Sequence, residues 1–92
     1  MARLRRAPSL SGPHSALVTA LRELHLCQGQ PSLRELERKT CVSHDTVHRM
    51  LTGTALPGWG SVELVVEALG GRTEEFRVLW IAARRSLDPD NA

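Results

Sequence analysis

Residues 31–53 read PSLRELERKTCVSHDTVHRMLTG, and the fold turns on this stretch. Ser32 followed three residues later by Glu35 is a capping box. The hydroxyl accepts an orphan backbone N–H, and the glutamate is expected to reach back to the cap. A helix should therefore start at Ser32 and end near Thr40, with Leu33 and Leu36 on its apolar face. Ser43 is a second N-cap, with Thr46 at the third helical position, where a capping box would carry Glu or Gln. The helix it opens turns Val47, Met50 and Leu51 inward, and Gly53 stops it. Only Thr40-Cys41-Val42-Ser43 join the two. So short a link forces a sharp angle rather than an antiparallel hairpin, and Leu36, Val42, Val47 and Met50 stand where such a corner must be buried. This is the geometry of a helix-turn-helix, whose second helix can enter a DNA major groove.

Outward from this pair the chain continues to read as helices. Leu17, Leu21 and Leu24 recur at i, i+4 and i+7, which predicts a helix over Ser15–Cys27, stopped by Gly29 and Pro31. Residues 1–13 carry three Arg, two Pro and a Gly without sustained apolar periodicity, and read as a flexible basic arm. Residues 52–60, TGTALPGWG, hold three Gly, one Pro and no charge, and read as a loop. A fourth helix is predicted over Ser61–Leu69, with Val62, Val65, Val66 and Leu69 inward and Gly70-Gly71 closing it. Thr73 is the expected cap of a fifth helix, with Glu74 and Glu75 in its first turn, favourable to the dipole. Phe76, Leu79, Trp80 and Ala83 line its apolar face, and Arg84 and Arg85 fall in its last turn. No strand alternation and no repeat is visible. The expectation is a compact all-α domain of five helices over residues 14–86, between the arm (1–13) and a frayed tail (87–92).

Composition bounds the function. Ninety-two residues make one domain, and 41 % hydrophobic with 24 % charged residues is ordinary globular composition. Residues 1–51 carry eight basic groups and four acidic ones, net +4, while residues 52–92 carry four and six, net −2. An anionic partner would feel this one-sided field. No run approaches the roughly 20 apolar residues of a membrane span, and Arg22 and Glu23 interrupt the apolar stretch a signal peptide would need. Two cysteines make no disulfide framework, so a reducing cytoplasm is the expected compartment. Eleven Arg to one Lys points to a GC-rich genome, an argument from codons.

Residues 31–53 resemble the helix-turn-helix of the lambda-repressor/Cro-like (XRE-type) family of bacterial regulators. The resemblance extends over about residues 15–85. It is closest to variants common in actinobacteria, in which a Leu-Pro-x-Trp loop, here Leu56-Pro57-Gly58-Trp59, leads into a Val-rich fourth helix. The resemblance implies a recognition helix starting at Ser43, with His44, Asp45, Thr46 and Arg49 facing base edges. Arginine is the best single reader of guanine, donating to O6 and N7. Ser32, Arg34, Arg38, Lys39, Ser43 and His48 would hold the DNA backbone and fix register. Arg3, Arg5 and Arg6 in the arm would reach a groove or phosphates, ordering on contact.

The chain departs from the family at two positions. Glu37 stands where close helix approach usually calls for Ala, and Cys41 stands in the turn where a left-handed backbone usually calls for Gly, at a cost of roughly 1 kcal/mol. Asp45 is a carboxylate at a DNA-facing position, where it must accept from a cytosine amino group or repel phosphate.

The same residues admit other chemistries. RELERK alternates charge, so a solvated helix face also accounts for Arg34, Arg38 and Lys39. Cys41, His44 and His48 are spaced C-x2-H-x3-H, with His25 or Cys27 as a fourth zinc ligand, but no C-x2-C knuckle accompanies them, and no metal or other cofactor is expected. Catalytic signatures such as G-x-S-x-G, a phosphate loop or H-E-x-x-H are absent, and no enzyme is expected. The expected function is sequence-specific binding of double-stranded DNA by a transcriptional regulator, with a homodimer common for such folds. The rival is a protein-interaction module of signalling or antitoxin type, with Phe76 and Trp80 on the fifth helix as its surface if they are exposed.

Overall fold

A computed structural model describes residues 12–87. The arm arginines Arg3, Arg5 and Arg6 and the tail from residue 88 onward lie outside the described residues. Five helices follow in order: α1 (Pro13–Cys27), α2 (Leu33–Thr40), α3 (His44–Thr52), α4 (Trp59–Ala68) and α5 (Thr73–Leu87). The described residues form a compact, all-helical unit with no strand, and none of these helices is long and apolar enough to cross a membrane.

Three helix starts differ from expectation, each for a local reason. α1 begins at Pro13 rather than Ser15, so it takes in the last residue assigned to the arm. Proline at the first helical position loses only an N–H that has no partner there, and its φ is already helical. Gly12, at φ 84°, turns the chain in, and its carbonyl accepts from Ala16 N at 3.0 Å. α4 begins at Trp59 rather than Ser61, because Gly58 serves as cap and its carbonyl accepts from the amides of Ser61 and Val62. Thr73 is the first residue of α5 rather than its cap. Its predecessor Arg72 supplies the carbonyl that accepts from Glu75 N and Phe76 N. α5 also runs on through Leu87, so the expected tail begins one residue too early.

The core joins all five helices. Leu17 and Leu21 of α1, Leu36 of α2, Val47, Met50 and Leu51 of α3, Val62, Val65 and Val66 of α4, and Phe76 and Ala83 of α5 are buried in one cluster, with Val42 from the α2–α3 link and Leu69 after α4. α1 packs along α5, α2 lies against α3 and α4, α4 against α5, and α3 also meets α1. Two places set how these helices meet. At Gly71 the chain passes so close to α1 that an added Cβ would lie 2.6 Å from Leu24 Cδ2 and 3.0 Å from Val66 Cγ1. In the loop before α4, Trp80 Nε1 donates to the Pro57 carbonyl at 2.9 Å, and the Trp80 ring packs on Trp59 at a 6.1 Å centroid distance.

Candidate functional site

The α2–α3 corner is built from the bonds of a few side chains. Thr40 is buried, and its hydroxyl donates to the Leu36 carbonyl at 2.7 Å while accepting from Val42 N at 3.1 Å. One oxygen thereby stitches the end of α2 to the residue that re-enters the core. Cys41 takes the left-handed conformation, φ 63° and ψ 13°, with its amide donating to the Glu37 carbonyl at 2.7 Å. Ser32 Oγ accepts from Glu35 N at 3.1 Å, as a cap should. The Glu35 carboxylate does not reach back to close the expected box; it faces forward to Lys39 Nζ at 3.9 Å, an exposed pair one turn on. At α3, Ser43 Oγ accepts from Thr46 N at 3.2 Å and donates to Thr46 Oγ1 at 2.9 Å. Thr46 thus does not close a capping box, since its hydroxyl accepts from the Ser43 hydroxyl and not from the Ser43 amide, and it keeps its own hydroxyl hydrogen to donate outward.

α3 has two clearly different sides. Val47, Met50 and Leu51 are buried, whereas His44, Asp45, His48 and Arg49 are exposed together on the outer side. Within this group, Arg49 and Asp45 pair with each other: Arg49 Nε lies 3.1 Å from Asp45 Oδ2, an exposed i, i+4 ion pair along the helix. His44 Nδ1 lies 3.1 Å from Glu37 Oε1 and links the two helices. A carboxylate only accepts, so Nδ1 carries the hydrogen in this bond and Nε2 points away from it. Arg34 and Arg38 are exposed on α2 one turn apart, and among the described residues neither takes part in an ion pair.

The structure corrects two expectations about individual residues. Glu37 does not sit in a tight helix contact; it is half-exposed and holds His44, seven residues away. Phe76 is buried and Trp80 is half-buried with its N–H committed to Pro57, so this pair offers no exposed aromatic surface. The large apolar side chains that α5 does expose are Val78 and Leu87. The zinc spacing is not matched by proximity. Cys27 and Cys41 are exposed free thiols, and no three His, Cys, Asp or Glu side chains among the described residues come together as a metal-binding group. His25 is engaged elsewhere: its Nε2 donates to the Pro31 carbonyl at 2.8 Å and closes the α1–α2 turn.

The Asp45–Arg49 pair is visible in the sequence as an i, i+4 acid–base spacing, the favourable order on a helix. The Glu37–His44 pair is not, since it joins different helices. Comparison of the chain with protein-family models, with curated proteins and with solved structures gives no match.

Proposed function

We propose that this chain is a double-stranded-DNA-binding protein of helix-turn-helix type, with a lambda-repressor-like arrangement of its helices, that acts as a bacterial transcriptional regulator rather than an enzyme. The observation that carries this reading is the two-sidedness of α3. Its whole outer side is exposed and hydrogen-bonding, while its inner side is locked into the core beside a three-residue link to α2. A helix with its side chains is about 10–12 Å across, which a major groove about 12 Å wide admits. On this reading α3 lies in the groove, His44, Asp45, Thr46 and Arg49 meet base edges, and Ser43 and His48 flank them at the DNA backbone. Arg34 and Arg38 take the sugar-phosphate backbone, with Ser32 and Lys39 beside them.

The test is selection of bound duplexes from a random library by the purified protein, at low and at moderate salt. A recovered motif supports the reading, and a two-fold motif gives the half-site spacing of a homodimer. Binding that falls steeply with salt and selects no motif reduces the interface to phosphate contacts. No retention even at low salt favours the protein-interaction reading. Its surface would then be the exposed Val78 and Leu87 of α5, not Phe76 and Trp80.

A further inference from the structure

We propose that the outer side of α5 is a docking surface for a second copy of this chain. The two α5 helices pack antiparallel about a two-fold axis, with Glu74 of each opposite Arg85 of the other and Val78 opposite Ile81. The pairing needs no DNA, and neither α2 nor α3 takes part in it.

α5 turns Phe76 and Ala83 into the core. At about 100° per residue, Glu74, Val78, Ile81 and Arg85 fall in a strip about 60° wide on the opposite side of the helix. Glu74, Val78 and Arg85 are exposed and Ile81 is half-buried. Val78, at 67 %, is the most exposed of the large apolar side chains among the described residues. The steps along the strip are four, three and four residues. That is the spacing of the seam along which two helices interlock. Ala82 lies exposed beside the strip, and its small side chain lets a second helix come close.

The charges on the strip say what covers it. Its first turn is acidic and its last turn basic, an order the helix dipole favours by itself. Among the described residues, however, neither Glu74 nor Arg85 takes part in an ion pair. Eleven residues separate them, about 16 Å along the axis, so they cannot meet within one chain. Glu74 lines a shallow groove with Glu63 and Arg77, two carboxylates against one guanidinium. At the other end Arg85 has Arg84 beside it. Turning one strip end for end onto a copy of itself brings each surplus onto its opposite. The apolar pair Val78 and Ile81 then meets the same pair in the middle. A two-fold contact has this form, in which residue i meets j and j meets i. Parallel packing would set glutamate against glutamate and arginine against arginine, so the charges also choose the orientation.

One helix pair along about 16 Å buries less than the roughly 1,200 Å² at which stable interfaces begin. Association is therefore weak and reversible in free solution, and has to be sought at high protein concentration.

The experiment is analytical ultracentrifugation of the full chain without DNA, from about 10 μM to about 1 mM. The samples are the wild type, Val78→Asp, Glu74→Arg, Arg85→Glu, the chain carrying both reversals, and an equal mixture of the two singly reversed chains. Thermal unfolding of each confirms that it folds. The wild type should show a concentration-dependent dimer, and Val78→Asp should lose it. Each single reversal turns two symmetry-related contacts from attraction to repulsion, and should weaken association by at least about 2- to 30-fold. The mixture should form a heterodimer of near wild-type strength, and the doubly reversed chain should associate with itself again. A wild type that stays monomeric over the whole range overturns the proposal. So does a dimer that Val78→Asp and both reversals leave unchanged, since another surface then makes it. A mixture that associates no better than its components overturns the antiparallel pairing. None of these outcomes bears on whether α3 reads DNA, which the duplex selection tests by itself.

Discussion

Glu37 Oε1 and the His44 ring Nδ1 lie 3.1 Å apart, and this contact ties the last turn of α2 to the first residue of α3. Both side chains are more than a third exposed, 39 % and 47 %, so solvent screens the pair. Glu37→Ala should therefore change unfolding free energy by no more than about 0.5 kcal/mol. Denaturant unfolding checks this, and a loss well above about 1 kcal/mol would show that the bridge holds the corner together. On DNA the same change removes a negative charge and frees His44, so duplex binding should tighten for all sequences alike.

Cys41 occupies a left-handed backbone position at φ 63°. Its Cβ crowds the neighbouring carbonyl there, and glycine has none. Cys41→Gly is expected to stabilise the fold by about 0.5–1 kcal/mol, seen as a higher midpoint in denaturant with an unchanged slope. No gain would mean that the corner already relaxes around the side chain.

Gly71 and Gly60 make a controlled pair. A methyl at Gly71 would meet Leu24 and Val66, whereas one at Gly60, in the first turn of α4, meets nothing within 4 Å. Gly71→Ala should destabilise by about 1–3 kcal/mol through overpacking. Gly60→Ala should stabilise by about 0.4–1 kcal/mol, because alanine restricts the unfolded chain. Thermal melts of the two variants moving in the same direction would contradict the packing described at Gly71.

Trp80→Phe keeps an aromatic ring against Trp59 but removes the N–H that serves the Pro57 carbonyl. The expected cost is about 0.5–1.5 kcal/mol. Trp59 remains as the single fluorescent indole, so its emission during unfolding reports the loop directly. An unchanged melting curve would mean that water replaces the donor without penalty.

Arg34→Ala and Arg38→Ala should each weaken duplex binding uniformly across sequences and lower the slope of log K against log salt by about 1. The same substitution at Lys39, which is paired with Glu35 at 3.9 Å, should do less. A slope that does not move with either arginine would return them to a solvated helix face.

Much of the corner is legible in the sequence because its signals are local. Ser32, Ser43 and Gly53 mark helix ends through bonds to residues three or four away, and the bounds of α2 and α3 fall where those residues place them. Pro13 and Gly58 read as breakers in the sequence and are starters in the structure; the same residue type ends a helix from inside and opens one at its first turn or cap. The role of Glu37 is hidden because its partner belongs to another helix. Trp80 is obscure for a similar reason: its polar end is satisfied by a carbonyl 23 residues earlier. The Asp45–Arg49 spacing is plain in the sequence, and the structure brings the two side chains together as an exposed ion pair.

The bearing of α3 relative to α2 rests on Thr40, Val42 and the buried Val47, Met50 and Leu51, and none of these belongs to the outer side. Aim and vocabulary are thus written in different residues. Positions 44, 45, 48 and 49 can be exchanged while the scaffold beneath them keeps its shape. If α3 reads DNA as proposed, a descendant of this gene could acquire a new target by a handful of surface substitutions, with no need to re-solve the problem of folding.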